Sequence, residues 1–303
     1  MDSAIETSGL SKRFRKRVAV QPIDLAVPRG SLFGYLGPNG AGKTTTIRML
    51  LGLARPTSGS AKVLGRSVPR GLASVRRQIG SVLEDPAFYP RFSARLNLKI
   101  FARAAGDPAA FDRIDPLLDL VGLTDRANDR VRTYSHGMRQ RLGLAASMLH
   151  DPELIVLDEP ATALDPAGIR DVRALLAGFR DEGRTIFISS HLLSEVEQIC
   201  DQVAVVSKGR MMYQGPLTGL TTGTGQVRVE IAEADAAERA IRELGWAVER
   251  DGDALRVSGA PAREVNRALA DRGLYAHGIS EGSRKLEDVF LELTEEAPET
   301  PGG

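Results

Sequence analysis

Cysteine is almost absent from this chain, with Cys200 the one thiol in 303 residues. A lone cysteine excludes an internal disulfide framework and fits a reducing cytosol. Cys200 itself reads as a small residue packed in a helix. A dominant sign of charge is missing too. Lys and Arg number 40 against 39 Asp and Glu, a net charge of +1. No overall field therefore draws the chain to nucleic acid or to an anionic membrane surface. No stretch approaches the roughly 18 consecutive apolar residues of a membrane helix. The N-terminal Met1-Asp2-Ser3-Ala4-Ile5-Glu6 lacks a basic segment followed by an apolar one, so no signal peptide is expected. Action at a membrane would need a separate membrane subunit. Internal repeats are lacking as well.

Against those absences stands one dense motif. Residues 37–44 read Gly37-Pro38-Asn39-Gly40-Ala41-Gly42-Lys43-Thr44, a full match to the phosphate-loop pattern G-x-x-x-x-G-K-[ST]. The apolar run Leu32–Leu36 before it predicts a buried strand, and Thr45–Leu51 after it predicts a helix. Three glycines let backbone N–H groups wrap an anionic phosphate, and the helix N-terminus adds roughly half a positive charge. Lys43 is expected to reach the β/γ-phosphates of ATP, and the Thr44 hydroxyl to ligate Mg²⁺.

The organisation around the motif predicts an α/β fold, a P-loop NTPase core. Residues 5–36 alternate short apolar runs with Gly and Pro, the pattern of strands and turns. Ile79–Leu83, Leu154–Leu157 and Thr185–Ile188 read as further strands, the last two continuous enough to be buried on both faces of a parallel sheet. About 86–150 the pattern turns helical, with Leu117, Leu118, Leu120 and Val121 on one face and Leu142, Leu144 and Ala145 on another. Residues 219–225 are a flexible linker by composition. Beyond it, Val227, Val229 and Ile231 suggest a strand and Ala237, Ala240, Ile241 and Leu244 a helix. Trp246–Val257 suggests a hairpin about Asp251-Gly252, Val265–Leu269 a second helix, and Leu274–Ile279 a last strand. That β-α-β-β-α-β order predicts a small α+β, ferredoxin-like domain over 226–295. The ATPase domain would span 1–220, and 296–303 would be a flexible tail.

Two more motifs carry chemistry. Leu154-Ile155-Val156-Leu157-Asp158-Glu159-Pro160 is an apolar strand ending in two carboxylates. Asp158 at such a strand end, beside a phosphate loop, is suited to hold Mg²⁺ through its water shell, and Glu159 to polarise an attacking water. Tyr134-Ser135-His136-Gly137-Met138-Arg139-Gln140-Arg141 precedes the acidic strand and opens a helix, whose N-terminus favours an anion.

Here residues 5–217 resemble the ATP-binding cassette (ABC) ATPases. Their signature is Leu-Ser-Gly-Gly-Gln, of which this chain keeps Ser135 and Gly137. The resemblance implies a mixed sheet with a helical insertion and a head-to-tail dimer. ATP would sit between the phosphate loop, Thr45 included, of one chain and Ser135 and Gly137 of the other. It implies that His191 contacts the γ-phosphate and water, that Asp165 in Ala163-Leu164-Asp165 touches the partner's phosphate loop, and that Phe14 stacks on adenine. Glu84 stands where the family usually has Gln, at a position that ligates Mg²⁺ and couples to the membrane subunit through Glu84–Tyr89. That Glu and the Tyr-Ser-x-Gly-Met signature resemble the bacitracin-resistance branch of antibiotic exporters. Implied with it are a second ABC ATPase subunit, a multi-span membrane permease and a cytoplasmic, peripheral location, with no nucleic-acid partner. An importer subunit with a ligand-sensing C-terminal domain and a soluble non-transport ABC ATPase are the alternatives.

Overall fold

Leu32–Leu36 is buried at every position, and so are Leu154–Asp158 and Thr185–Ser190. A strand covered on both faces belongs at the centre of a parallel sheet. The structure, a computed structural model, describes residues 2–83, 87–162, 164–252, 254–283 and 286–295, with backbone alone for 221–225 and 281–283. Glu84, Ala163 and the expected tail at 296–303 lie outside the described residues.

These strands are central in a six-stranded sheet ordered Arg210–Pro216, Gln202–Ser207, Leu32–Leu36, Thr185–Ser190, Leu154–Asp158, Ile79–Val82. From Gln202–Ser207 to Ile79–Val82 every neighbouring pair is parallel. Phe33 stacks on Phe187 with ring centroids 5.8 Å apart, and Tyr35 lies 5.4 Å from the same ring. Each such side chain, fully buried, contributes on the order of 1.5–3 kcal/mol. A second, antiparallel sheet is built on Ser3–Phe14, which pairs with Arg17–Ile23, Ala26–Pro28 and Ser58–Val63.

The expected helical insertion holds the helices Ala94–Ala105, Ile114–Leu120 and His136–Met148. Leu117, Leu118 and Val121 are buried there, as are Leu142, Leu144 and Ala145. Leu120 is the correction: it ends its helix and points outward, 49% exposed.

By contact, residues up to Gly215 and from Glu292 on make one unit, and Pro216–Leu291 another. The second unit has its own core, with Val227, Val229, Ile241, Leu255, Val257 and Val265 all buried. Its sheet is ordered Ala247–Asp251, Ala254–Ser258, Thr222–Glu230, Gly278–Ser283, with every neighbouring pair antiparallel. Helices Ala234–Glu243 and Ala262–Ala270 connect the strands.

Two expectations here are overturned. Residues 219–225 are no flexible linker: Thr218–Thr221 is helical and Thr222–Glu230 is a strand. Backbone pairing, Thr222 with Ser283, overrides what Gly and Thr content suggests. The last strand begins at Gly278, not Leu274, because Leu274 N–H still bonds to Leu269 O at the helix end and pairing to Glu230 starts only at Gly278.

Candidate active site

The phosphate loop is shaped by its glycines and by bonds within the loop itself. Gly40 and Gly42 have φ of 80° and 100°, a left-handed backbone that favours glycine. Gly37 is required for a different reason, since a Cβ there would lie 2.4 Å from the Val206 carbonyl oxygen. Helix Lys43–Leu50 begins after Gly42 with no side chain capping its first turn, so its leading N–H groups remain available to an anion. Behind it, Thr46 Oγ1 bonds to Gly42 O at 3.1 Å and lies 3.3 Å from the Tyr35 hydroxyl, whose pKa burial pushes up to about 12.

Lys43 is folded back into the loop, its Nζ donating to Gly37 O at 2.6 Å and Pro38 O at 3.3 Å. It also pairs with Glu159 Oε1 at 3.2 Å. Glu159 Oε2 in turn lies 2.7 Å from His191 Nδ1 and accepts from the Thr162 hydroxyl at 3.3 Å. Lysine, glutamate and histidine thus form one chain of charge-assisted contacts across three elements. Glu159 has φ of 52°, in the left-handed region for a residue with a side chain. Such a conformation costs on the order of 1–3 kcal/mol and recurs at functional sites. It turns the chain at the end of Leu154–Asp158 and throws the Glu159 side chain toward Lys43 and His191.

Asp158 is buried, 1% exposed. One carboxylate oxygen accepts from the Ser189 hydroxyl at 2.5 Å; the other, Oδ2, is buried with no hydrogen-bond partner among the described residues. An orphaned buried carboxylate oxygen calls for a cation or a bound water. Among the described residues no group of three His, Cys, Asp or Glu side chains could hold a metal. The donor set fits an ion such as Mg²⁺ that takes most of its ligands from water and phosphate.

A cavity of about 660 Å³ gathers these groups. Of the residues singled out in the sequence, Phe14, Asn39, Gly40, Gly42, Lys43, Thr44, Thr45, Asp158, Glu159 and His191 line it. Gly37, Pro38 and Ala41 shape the loop without lining the cavity. Phe14 is 52% exposed, and the ammonium of Lys12 sits 4.9 Å from its ring centroid. Ser135, Gly137 and Asp165 are not brought to the cavity. Ser135 and Asp165 cap helices instead, accepting from Met138 N–H at 3.2 Å and Gly168 N–H at 3.0 Å.

Sequence reasoning passed over six residues of the site. Arg17, Ala19, His136, Gln140 and Thr162 line the cavity, and Gln140 is buried. Ser189 bonds to both carboxylate-bearing residues. A signal existed for Gln140 and Ser189: each is a polar residue close to an apolar run, Leu142–Ala145 and Ile186–Ile188 respectively.

The ABC transporter family is matched over residues 20–162. The bacitracin transport ATP-binding protein BcrA of Bacillus licheniformis is 36% identical over 97% of this chain and 98% of its own length. The daunorubicin/doxorubicin resistance ATP-binding protein DrrA of Streptomyces peucetius is 38% identical over 96% of this chain and 92% of its own. A solved ATP-binding subunit of an ABC transporter superposes with a TM-score of 0.66 at 26% identity, covering 88% of this chain and all of the other. With that likeness running nearly end to end, and the phosphate loop, Asp158, Glu159 and His191 converging on one cavity, the chain belongs to the ABC transporter family as one of its ATP-hydrolysing subunits.

Proposed function

We propose that this chain drives an exporter of drug-like, antibiotic or lipid-like compounds, pairing with a second ATPase subunit, most simply its own copy, and with a separate membrane permease. One observation carries the catalytic part: Lys43, Glu159 and His191 meet in the cavity beside the unpaired Asp158 oxygen. Among the described residues no helix is long and apolar enough to cross a membrane, so the transport path belongs to another chain. The export direction rests on the relatives named for bacitracin transport and daunorubicin resistance. Their match runs through the C-terminal unit, which weakens the importer alternative built on that unit. Its antiparallel strand order, second-third-first-fourth, supports a ferredoxin-like reading of 226–295.

In this reading Lys43 exchanges Glu159 for the β/γ-phosphates, and the uncapped N–H groups of the loop hold the phosphate oxygens. Glu159 orients water and takes its proton, while His191 holds the glutamate from behind. Thr44 and Asp158 would hold Mg²⁺, which supplies charge neutralisation on the phosphates. Phe14 offers its free ring face to adenine. Ser135, Gly137 and Asp165, absent from the cavity of their own chain, would serve the partner's nucleotide. Glu84 would contribute at the metal and, with the segment up to Tyr89, meet the permease.

The test is isolation of the chain with its native membrane partner in lipid nanodiscs. ATP hydrolysis is expected to rise when a peptide antibiotic or anthracycline is added. Co-purification with a partner that takes up its ligand only from outside the cell would overturn the export reading.

A further inference from the structure

Asp158 and Ser189 face each other directly across two parallel strands, as register partners of Leu154–Asp158 and Thr185–Ser190. Partners in register present their side chains on the same face of a sheet. Ser189 is fully buried, 0% exposed, near the C-terminal end of its strand and directly after the apolar run Ile186–Ile188. Its hydroxyl makes two bonds. It donates to Asp158 Oδ1 at 2.5 Å, and it accepts from the backbone N–H of Glu159 at 3.0 Å. The direction of each is fixed by chemistry, because an ionised carboxylate only accepts and an amide N–H only donates. The hydroxyl's single proton is therefore committed to Asp158. The Ser189 carbonyl oxygen adds a third tie, accepting from the same Glu159 N–H at 3.2 Å.

We infer that Ser189 is a positioning residue that sets the metal-facing geometry of Asp158 and the left-handed turn at Glu159 together. Occupying Oδ1 restrains the carboxylate and leaves Oδ2 as its buried, unpartnered oxygen, on a residue that lines the cavity. Gripping the Glu159 amide stabilises the φ of 52° that aims its side chain at Lys43 and His191. One buried hydroxyl thus couples the carboxylate that would face Mg²⁺ to the one that would face water. The inference rests on reading Asp158 as the Mg²⁺-facing carboxylate. Partners of this kind fix the orientation of a ligating group, and losing them typically costs 10–100-fold in metal affinity or activity.

The experiment uses the full chain, with Mn²⁺ as the metal probe followed by electron paramagnetic resonance in the presence of a non-hydrolysable ATP analogue. Ser189→Ala is expected to weaken Mn²⁺ binding by roughly 10–100-fold. ATP binding measured in EDTA should stay within about twofold of wild type, a split that general damage to the strand would not produce. Ser189→Thr keeps the hydroxyl and should restore Mn²⁺ affinity to within about threefold. Ser190→Ala, on the same strand and also buried, removes a hydroxyl that among the described residues bonds to the 192 backbone, and serves as the control for local disturbance. Unchanged Mn²⁺ affinity in folded Ser189→Ala would overturn the inference, as would a parallel loss of metal-free ATP binding. Asp158→Asn separates the two layers. If it abolishes Mn²⁺ binding while Ser189→Ala does nothing, the role of Ser189 fails and that of Asp158 stands. If it too leaves Mn²⁺ binding intact, the reading of Asp158 fails as well.

Discussion

Glu159 is held by Lys43 at 3.2 Å, His191 at 2.7 Å and the Thr162 hydroxyl at 3.3 Å, all through its two carboxylate oxygens. Glu159→Gln keeps the shape and one acceptor oxygen but removes the charge and the basicity. Hydrolysis is expected to fall by roughly 10²-fold or more, the scale of a lost general base. ATP binding should persist, so the variant should accumulate as an ATP-bound dimer on gel filtration. Turnover near wild type in a phosphate-release assay would rule out the role. The identity of this residue was legible as a carboxylate after an apolar strand. Its aim was not, because the positive φ at Glu159 follows from the amide bonds to Ser189, which are long-range in sequence. Lys43 was likewise legible as the cation of the phosphate loop, whereas its partnership with Glu159, more than a hundred positions away, depends on strand order.

At the level of single elements, the helix His136–Met148 begins at Ser135, whose hydroxyl caps it by accepting from Met138 N–H. Cap and phosphate contact make different demands on that side chain. Ser135→Asp supplies an N-cap about as good as serine and suits the positive helix end. It would also set a negative charge where the partner's γ-phosphate is expected. The melting temperature should therefore hold within a few degrees, while ATP-induced dimerisation of the Glu159→Gln form should be lost. Retained dimerisation in that double variant would remove Ser135 from the shared site. Continuous apolar strands and the hairpin near Asp251-Gly252 were readable because each is decided by neighbours in sequence, though Asp251 itself pairs with Ala254 as the last residue of its strand and is not part of the turn. Val227 and Val229 were readable as strand in the same way, but the first residues of Thr222–Glu230 were not, since they carry no apolar alternation and the strand pairs there by backbone, Thr222 with Ser283. Leu120 was misassigned for a related reason: a helix end lies where periodicity ceases to dictate a face.

Across the whole molecule, two units each enclose a core of their own. The chain's single tryptophan, Trp246, lies in the second and packs against that unit's core. The groups proposed to bind ATP all belong to the first. Ligand at about 100 times its dissociation constant adds about 2.7 kcal/mol to the stability of whatever unit binds it. In urea, ATP is expected to shift the far-UV circular dichroism transition of the larger unit to higher concentration and to leave the Trp246 fluorescence transition nearly in place. Equal shifts in both signals would mean that the two cores unfold as one. The cassette's motifs were plain in the sequence because each is local, whereas the division after Gly215 is a property of contacts that a linker-like composition a few residues later did not mark.

The 3.2 Å pair between Lys43 and Glu159 ties two proposed roles to one ammonium group. On that reading, phosphate and carboxylate compete for the same cation. Seating the phosphate and freeing the carboxylate are then a single exchange, and the base becomes available in the same step that brings its substrate.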